Sequence, residues 1–390
     1  MINKRLRIFV LLIIIFLFGF IAFLLAPSQN VIGTGDFRPY WSATYLLSQG
    51  KDFSNLNLMD QVERQLTGWD EQFTMMAWFA PTGMFVLLPF TILPFEKAAF
   101  LWLLINILIL SVTAIILWDR TKQKIWVPLL IIFCFPMTLL SLYVGQINIL
   151  VLFGLAVYIS LSNSKYQYLR GVCLALITIK PHLVILTLPL IILDCLSNKR
   201  WKVLIGFFGS ILFSSIILTL FYPPWLLSFW KLITSGMSSI RETPTLSGVI
   251  AFITGKGWGR WIWVLGIILL LIIWTFKKEN WKIDNWVYLS IPLSLIVSPI
   301  GWGYDQIILL IPLLFLHKVV LKEKVRKLSI ILSLFTISIY IIILVMRVLN
   351  PNEVWFFFVP FLFLFFYLYL TIEFESIFIS AKKTINLFFG

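Results

Sequence analysis

Five short polar groups interrupt an otherwise apolar chain, and each could carry chemistry. In Gly35-Asp36-Phe37-Arg38-Pro39-Tyr40-Trp41, the Asp36 carboxylate could take a proton from a hydroxyl, which is general-base work, with Arg38 and Tyr40 beside it to bind substrate. The alternative is a loop aspartate capping the helix that starts near Pro39. In Trp78-Phe79-Ala80-Pro81, with Pro89 and Pro94 following, Trp78 could wall a lipid or sugar; the alternative is an interface belt ahead of a kinked helix. Tyr143-Val144-Gly145-Gln146-Ile147-Asn148 places Gln146 and Asn148 between two apolar runs. Amides at that depth need partners, so they either bind substrate or join helices.

Lys180-Pro181-His182 lies inside the apolar stretch from Val172 to Leu193. A buried ammonium there suits a phosphate; otherwise Lys180 reaches for the interface. His182 has no second ligand near it in sequence, so no metal is read there. In Ser298-Pro299-Ile300-Gly301-Trp302-Gly303-Tyr304-Asp305-Gln306, small residues break the helix. They are expected to place Trp302, Tyr304 and Asp305 at the surface where Asp36 sits; a plain polar turn is the alternative.

The elements that must position these groups are membrane helices. The chain has 390 residues, of which 60% are hydrophobic and 12% charged, against roughly 25% charged in soluble domains. That excludes a soluble enzyme, a disordered chain and a disulfide scaffold. Thirty-six Phe and 17 Trp suit acyl chains and the interface. Apolar runs at 8–26, 74–93, 97–118, 126–142, 146–161, 169–194, 203–222, 259–276, 285–300, 305–317, 328–348 and 354–379 predict an all-α polytopic protein of about 12 spans, several of them broken by proline. One integral membrane domain is expected over residues 1–390, with no soluble domain and no repeat.

The net charge of +14 fits topology rather than nucleic acid, because basic residues collect in cytoplasmic loops. Lys4, Arg5 and Arg7 precede the first run, and Lys199, Arg200, Lys202, Lys318, Lys322, Lys324, Lys382 and Lys383 fall on the same side. Both termini are therefore expected inside. The loop at 27–73, net acidic, and a second long loop at 223–257 are expected outside. Tyr40–Gln49 and Leu58–Leu66 read as short interfacial helices. Arg120, Lys122 and Lys124 break this pattern if 74–93 crosses fully, and keep to it if that run is re-entrant. Cys134, Cys173 and Cys195 lie far apart and read as packing residues.

Taken in order, the five groups resemble glycosyltransferase family 87, membrane enzymes of the GT-C type. The resemblance rests on Asp36…Tyr40-Trp41-Ser42-Ala43, Gly50, Phe79…Pro81…Leu87-Leu88-Pro89…Leu93-Pro94, Gly145 to Asn148, Gly171…Lys180-Pro181 and Ser298 to Trp302. It covers roughly residues 30–315. It implies a GT-C-like bundle in the cell membrane that takes a sugar, typically mannose, from a polyprenyl-phosphate donor. The sugar goes to a lipid-linked or cell-envelope acceptor at the outer face, with inversion, without metal or other cofactor, and with Asp36 as base. Many members carry histidine just after the late tryptophan, where this chain has Gly303-Tyr304-Asp305. The segment before Pro81 has Ala80 in place of a usual second proline. Two rival readings are a surface-polysaccharide polymerase or ligase and a lipid or solute transporter. The first usually needs arginines in its large outer loop, and the second often shows repeats.

Overall fold

The computed structural model describes residues 33–118, 124–236, 242–277, 283–323, 325–350 and 352–372. The expected first span at 8–26, the N-terminal basic residues, Arg120, Lys122 and the tail lie outside the described residues. Among the described residues every regular element is helical. Lipid requires this, because only a helix satisfies its own backbone polar groups without partners from other segments.

Among the described residues, six helices are long and apolar enough to cross a bilayer: Phe95–Trp118, Trp201–Phe221, Gly257–Thr275, Gly303–Glu323, Arg326–Leu349 and Glu353–Ile372. The protein is thus a polytopic helical membrane protein. Several runs expected as crossings are instead broken or short. The 126–142 run divides into Trp126–Phe133 and Pro136–Val144, because Pro136 supplies no backbone N–H to continue the first helix. The 74–93 run is helical only over Pro81–Ile92. Twelve residues rise about 18 Å, short of a ~30 Å hydrocarbon core. That removes the reason for placing Arg120, Lys122 and Lys124 outside. The 169–194 run is broken at Lys180, between the 3-10 turns Leu176–Ile179 and Pro181–Val184.

The described residues form two compact units. The first holds the chain up to Leu117, Ile132–Pro181 and Cys195 to the described end of the Trp225–Gly236 helix. Its helices between residues 33 and 73 are Phe37–Ser48 and Leu56–Thr67, close to where periodicity put them. The two expected outer segments meet here. Asp52 is hydrogen-bonded to Ser228, and the Phe53 and Tyr222 rings lie 6.4 Å apart. Helices Gln167–Ala175 and Trp201–Phe221 approach backbone to backbone. A Cβ on Gly171 would overlap the Val203 carbonyl oxygen, and one on Gly206 the Tyr168 carbonyl oxygen.

The second unit holds Trp118–Ile131, His182–Asp194 and the described chain after Arg241. Hydroxyls join its helices: Ser290 Oγ donates to Thr187 Oγ1 at 2.9 Å, and Ser294 Oγ accepts the Leu186 N–H at 3.1 Å. His317 Nε2 meets Thr336 Oγ1 at 2.9 Å, and Tyr340 donates to the Ile131 carbonyl at 2.7 Å. Of the cysteines, Cys195 is buried as a packing residue would be, but Cys134 is exposed, contrary to that expectation.

Candidate active site

Asp36 is placed by backbone pairing with a distant turn. Gly33 N donates to Tyr143 O at 2.9 Å and Asp36 N to Val144 O at 2.7 Å. The turn ends at Gly145, whose φ of 73° is left-handed, and a Cβ there would overlap the Gly33 carbonyl oxygen. Glycine is therefore needed twice over, for its dihedral and for the close approach. Trp102 Nε1 donates to the Gly145 carbonyl at 2.9 Å and pins the turn from the Phe95–Trp118 helix.

This pairing brings Gln146 to Asp36. Gln146 Nε2 donates to Asp36 Oδ2 at 2.5 Å. Its Oε1 accepts the Tyr40 hydroxyl at 3.0 Å and the Ile147 N–H at 3.1 Å. Two donors on Oε1 leave Nε2 as the atom that faces the carboxylate. Asp36 makes no side-chain capping bond to the Phe37–Ser48 helix, so the capping alternative fails. The half-buried carboxylate is instead aimed by an amide that is itself held on its other side. Asn148, fully buried, donates to Ser141 Oγ at 3.3 Å and supports the same turn.

The aromatic–proline segment joins this array. The Phe79 ring lies edge-on to Tyr40 at 4.7 Å, while its neighbour Trp78 is only half-buried. Ala80 N donates to Ile179 O at 2.9 Å, and Thr82 Oγ1 meets Thr178 Oγ1 at 3.3 Å. Lys180 follows directly and is 1% exposed. Three of the five groups, and Lys180 of the fourth, thus lie in one unit, linked through these contacts.

Arg38, expected to bind substrate, reaches the end of the Leu56–Thr67 helix. Its guanidinium donates to Thr67 O at 2.5 Å and Thr67 Oγ1 at 2.7 Å, between the rings of Trp69 and Phe95. Burial lowers its pKa below the ordinary arginine value, opposed by Glu63 and Asp70. Glu63 was not singled out from the sequence. It is fully buried, its Oε2 accepts the Met75 N–H at 3.0 Å, and burial pushes its pKa up to about 7 against the Met75 N–H and Arg38. A signal did exist: Met59, Val62 and Glu63 share one face of an amphipathic helix, and that face is buried.

The late group lies in the second unit, as does His182. Trp302 and Tyr304 are half-buried and nearly parallel, 6.1 Å between centroids. Asp305, expected at the surface, is 1% exposed. The correction has a local cause: its Oδ2 turns back to accept the Trp302 N–H at 3.1 Å, starting the turn Gly303–Leu309. His182 Nε2 lies 3.9 Å from the same Oδ2. An imidazole therefore does face the late group, supplied by residue 182 rather than by the position after Trp302. Glu353, also unforeseen, accepts the Gly303 N–H at 2.6 Å and pairs with Arg347 at 2.6 Å. No group of three His, Cys, Asp or Glu placed to hold a metal ion occurs among the described residues.

The family model of glycosyltransferase family 87 matches residues 78–299. No curated protein and no solved structure matches the chain. The family match takes in the aromatic–proline segment, the Gly145 turn, Lys180-Pro181 and Ser298-Pro299. Asp36 lies outside it but is hydrogen-bonded to Gln146 within it. Matched over more than half its length, the chain belongs to glycosyltransferase family 87 and is a membrane glycosyltransferase.

Proposed function

We propose that this glycosyltransferase takes a sugar, mannose in the first instance, from a polyprenyl-phosphate donor. It passes the sugar to a lipid-linked or cell-envelope acceptor at the extracytoplasmic face of the cell membrane, without a metal. The observation that carries the reading is the Asp36 carboxylate held through Oδ2 by Gln146, which Tyr40 and Ile147 orient in turn. A carboxylate so held can receive the acceptor hydroxyl's proton as its oxygen attacks the anomeric carbon. The bond from that carbon to the phosphate oxygen breaks on the opposite face, and polyprenyl phosphate leaves with the electron pair, so the anomeric centre inverts. Lys180, buried beside the segment that carries Phe79, stabilises the departing phosphate. Such a donor carries its own leaving group and needs no nucleotide. Arg38, Tyr40, Gln146 and Asn148 are proposed to contact substrate around the same carboxylate. Trp78, Trp302, Tyr304, His182 and Asp305 are the proposed contacts to donor or acceptor.

The test is transfer by the purified full chain from radiolabelled polyprenyl-phosphate mannose to a panel of lipid-linked acceptors, with the product anomer determined. Inverted product, insensitive to chelators, is expected. Transfer from a nucleotide sugar, or retention at the anomeric carbon, overturns the reading. A cysteine at position 36 should label in intact cells, and labelling only after permeabilisation would place the site on the wrong face.

A further inference from the structure

The first unit holds a second polar feature, at the other end of a spanning helix. Trp201–Phe221 has 21 residues and rises about 31 Å. Its last residue, Phe221, lies by Gly50, at the end of the first outer-loop helix. Its first residues line a cavity of about 440 Å³ together with Gln167, Arg170, Lys199 and Arg200. The cavity is therefore remote from that loop, on the side that the positive-inside rule assigns to the cytoplasm.

Four cations line this cavity (Arg170, Lys199, Arg200 and Lys202), and no carboxylate is among its lining residues. Arg170 is 1% exposed and cannot swing out. Its Nε donates to the Tyr158 carbonyl at 2.8 Å, and its guanidinium lies 4.0 Å from the Tyr158 ring centre. Lys199, Trp201 and Lys202 are exposed at the rim. Lys199 has a φ of 51°, the one positive value at a non-glycine among the described residues. It is the left-handed residue that closes the Thr187–Ser197 helix, where the Arg200 N–H returns to the Cys195 carbonyl at 2.8 Å. The helix beginning at Trp201 adds its positive dipole end. Positive-inside topology explains basic residues in a loop. It does not explain a cavity lined by four cations with a buried arginine in its wall.

We infer that this cavity binds a phosphate group at the cytoplasmic membrane surface. Its volume suits a small headgroup, and Trp201 at the rim suits the bilayer interface. The phosphate has two possible sources, an anionic phospholipid or the free ion. The site is read by binding alone, so its test is independent of the proposed transfer reaction.

The full chain in neutral detergent is titrated with short-chain phosphatidylglycerol, with short-chain phosphatidylcholine and with inorganic phosphate. Native mass spectrometry and thermal shift are the readouts. Wild type should retain phosphatidylglycerol in preference to phosphatidylcholine, and competition by inorganic phosphate should be weak. Binding of inorganic phosphate alone would assign the free ion as ligand and keep the site. The paired substitutions Lys199→Gly and Lys202→Gln should weaken binding roughly 25-fold, about fivefold for each cation lost near a membrane surface. Glycine suits the left-handed dihedral, so this variant should fold at least as well as wild type. Arg170 and the helix core remain untouched. If neither anion binds wild type more tightly than the double variant, the inference is overturned.

Discussion

Changing Asp36 to asparagine separates chemistry from architecture, because the structure limits what else can change. The carboxylate accepts Gln146 Nε2 at 2.5 Å, and the donors on Gln146 Oε1, at 3.0 and 3.1 Å, keep that amide from turning over. A side-chain amide at position 36 can present its own oxygen to the same Nε2. The hydrogen bond survives but becomes neutral. Bonds to charged groups contribute about 1.5–3 kcal/mol and neutral ones about 0.5–1.5, so stability should fall by about 1 kcal/mol. No helix cap is lost, since Asp36 makes none through its side chain. The proton acceptor is lost outright. General-base catalysis contributes ~10²–10⁴-fold, or about 2.7–5.4 kcal/mol on the barrier. The two magnitudes decide the case: a small loss of stability leaves the protein folded and cannot imitate that loss of rate. Turnover and donor affinity measured on one preparation should show transfer falling by two to four orders of magnitude, roughly the general-base contribution, with donor affinity held. Turnover like wild type would remove Asp36 from the mechanism.

Four further outcomes follow from the structure. Lys180→Met should abolish donor binding in a folded protein while Lys180→Arg keeps part of it, because charge is retained and only the shape of the donor set changes; equal donor affinity in the Met variant would assign Lys180 to packing. Gly171→Ala places a methyl against the Val203 carbonyl and should lower the thermal midpoint by the equivalent of about 1–3 kcal/mol. Gly209→Ala, with nothing within 4 Å of a Cβ, should raise it slightly. Glu63 ionises near pH 7 when folded, above the ordinary value of 4.5. Between those values the folded chain holds a proton that the unfolded chain has released, so stability falls as pH rises through the window. Glu63→Gln keeps an acceptor for the Met75 N–H and should flatten thermal midpoint against pH there; an unchanged slope would mean Glu63 does not carry the effect.

Much of this protein is legible in one dimension. Hydropathy marks the helices, because the cost of an unpaired backbone group in lipid is the same along every apolar run. The helices at Phe37–Ser48 and Leu56–Thr67 follow from their amphipathic period. The five polar groups stand out because an amide, ammonium or carboxylate in such surroundings needs a reason. Hydropathy does not say whether a run crosses. Pro81–Ile92 and Phe95–Trp118 are both apolar, yet only the second has the length.

The partners of each polar group were decided by the tertiary structure alone. Asp36 meets Gln146, 110 positions away, because Gly33 and Asp36 pair with the backbone before Gly145. Nothing within either segment encodes that pairing. Arg38 meets Thr67, 29 positions away, Asp305 folds back onto the Trp302 N–H, and the buried Glu63 accepts the Met75 N–H. Each of these pairings has one physical cause. A buried polar side chain goes to whichever donor or acceptor the packed chain places within about 3 Å, and that neighbour is set by folding rather than by the residues beside it in sequence.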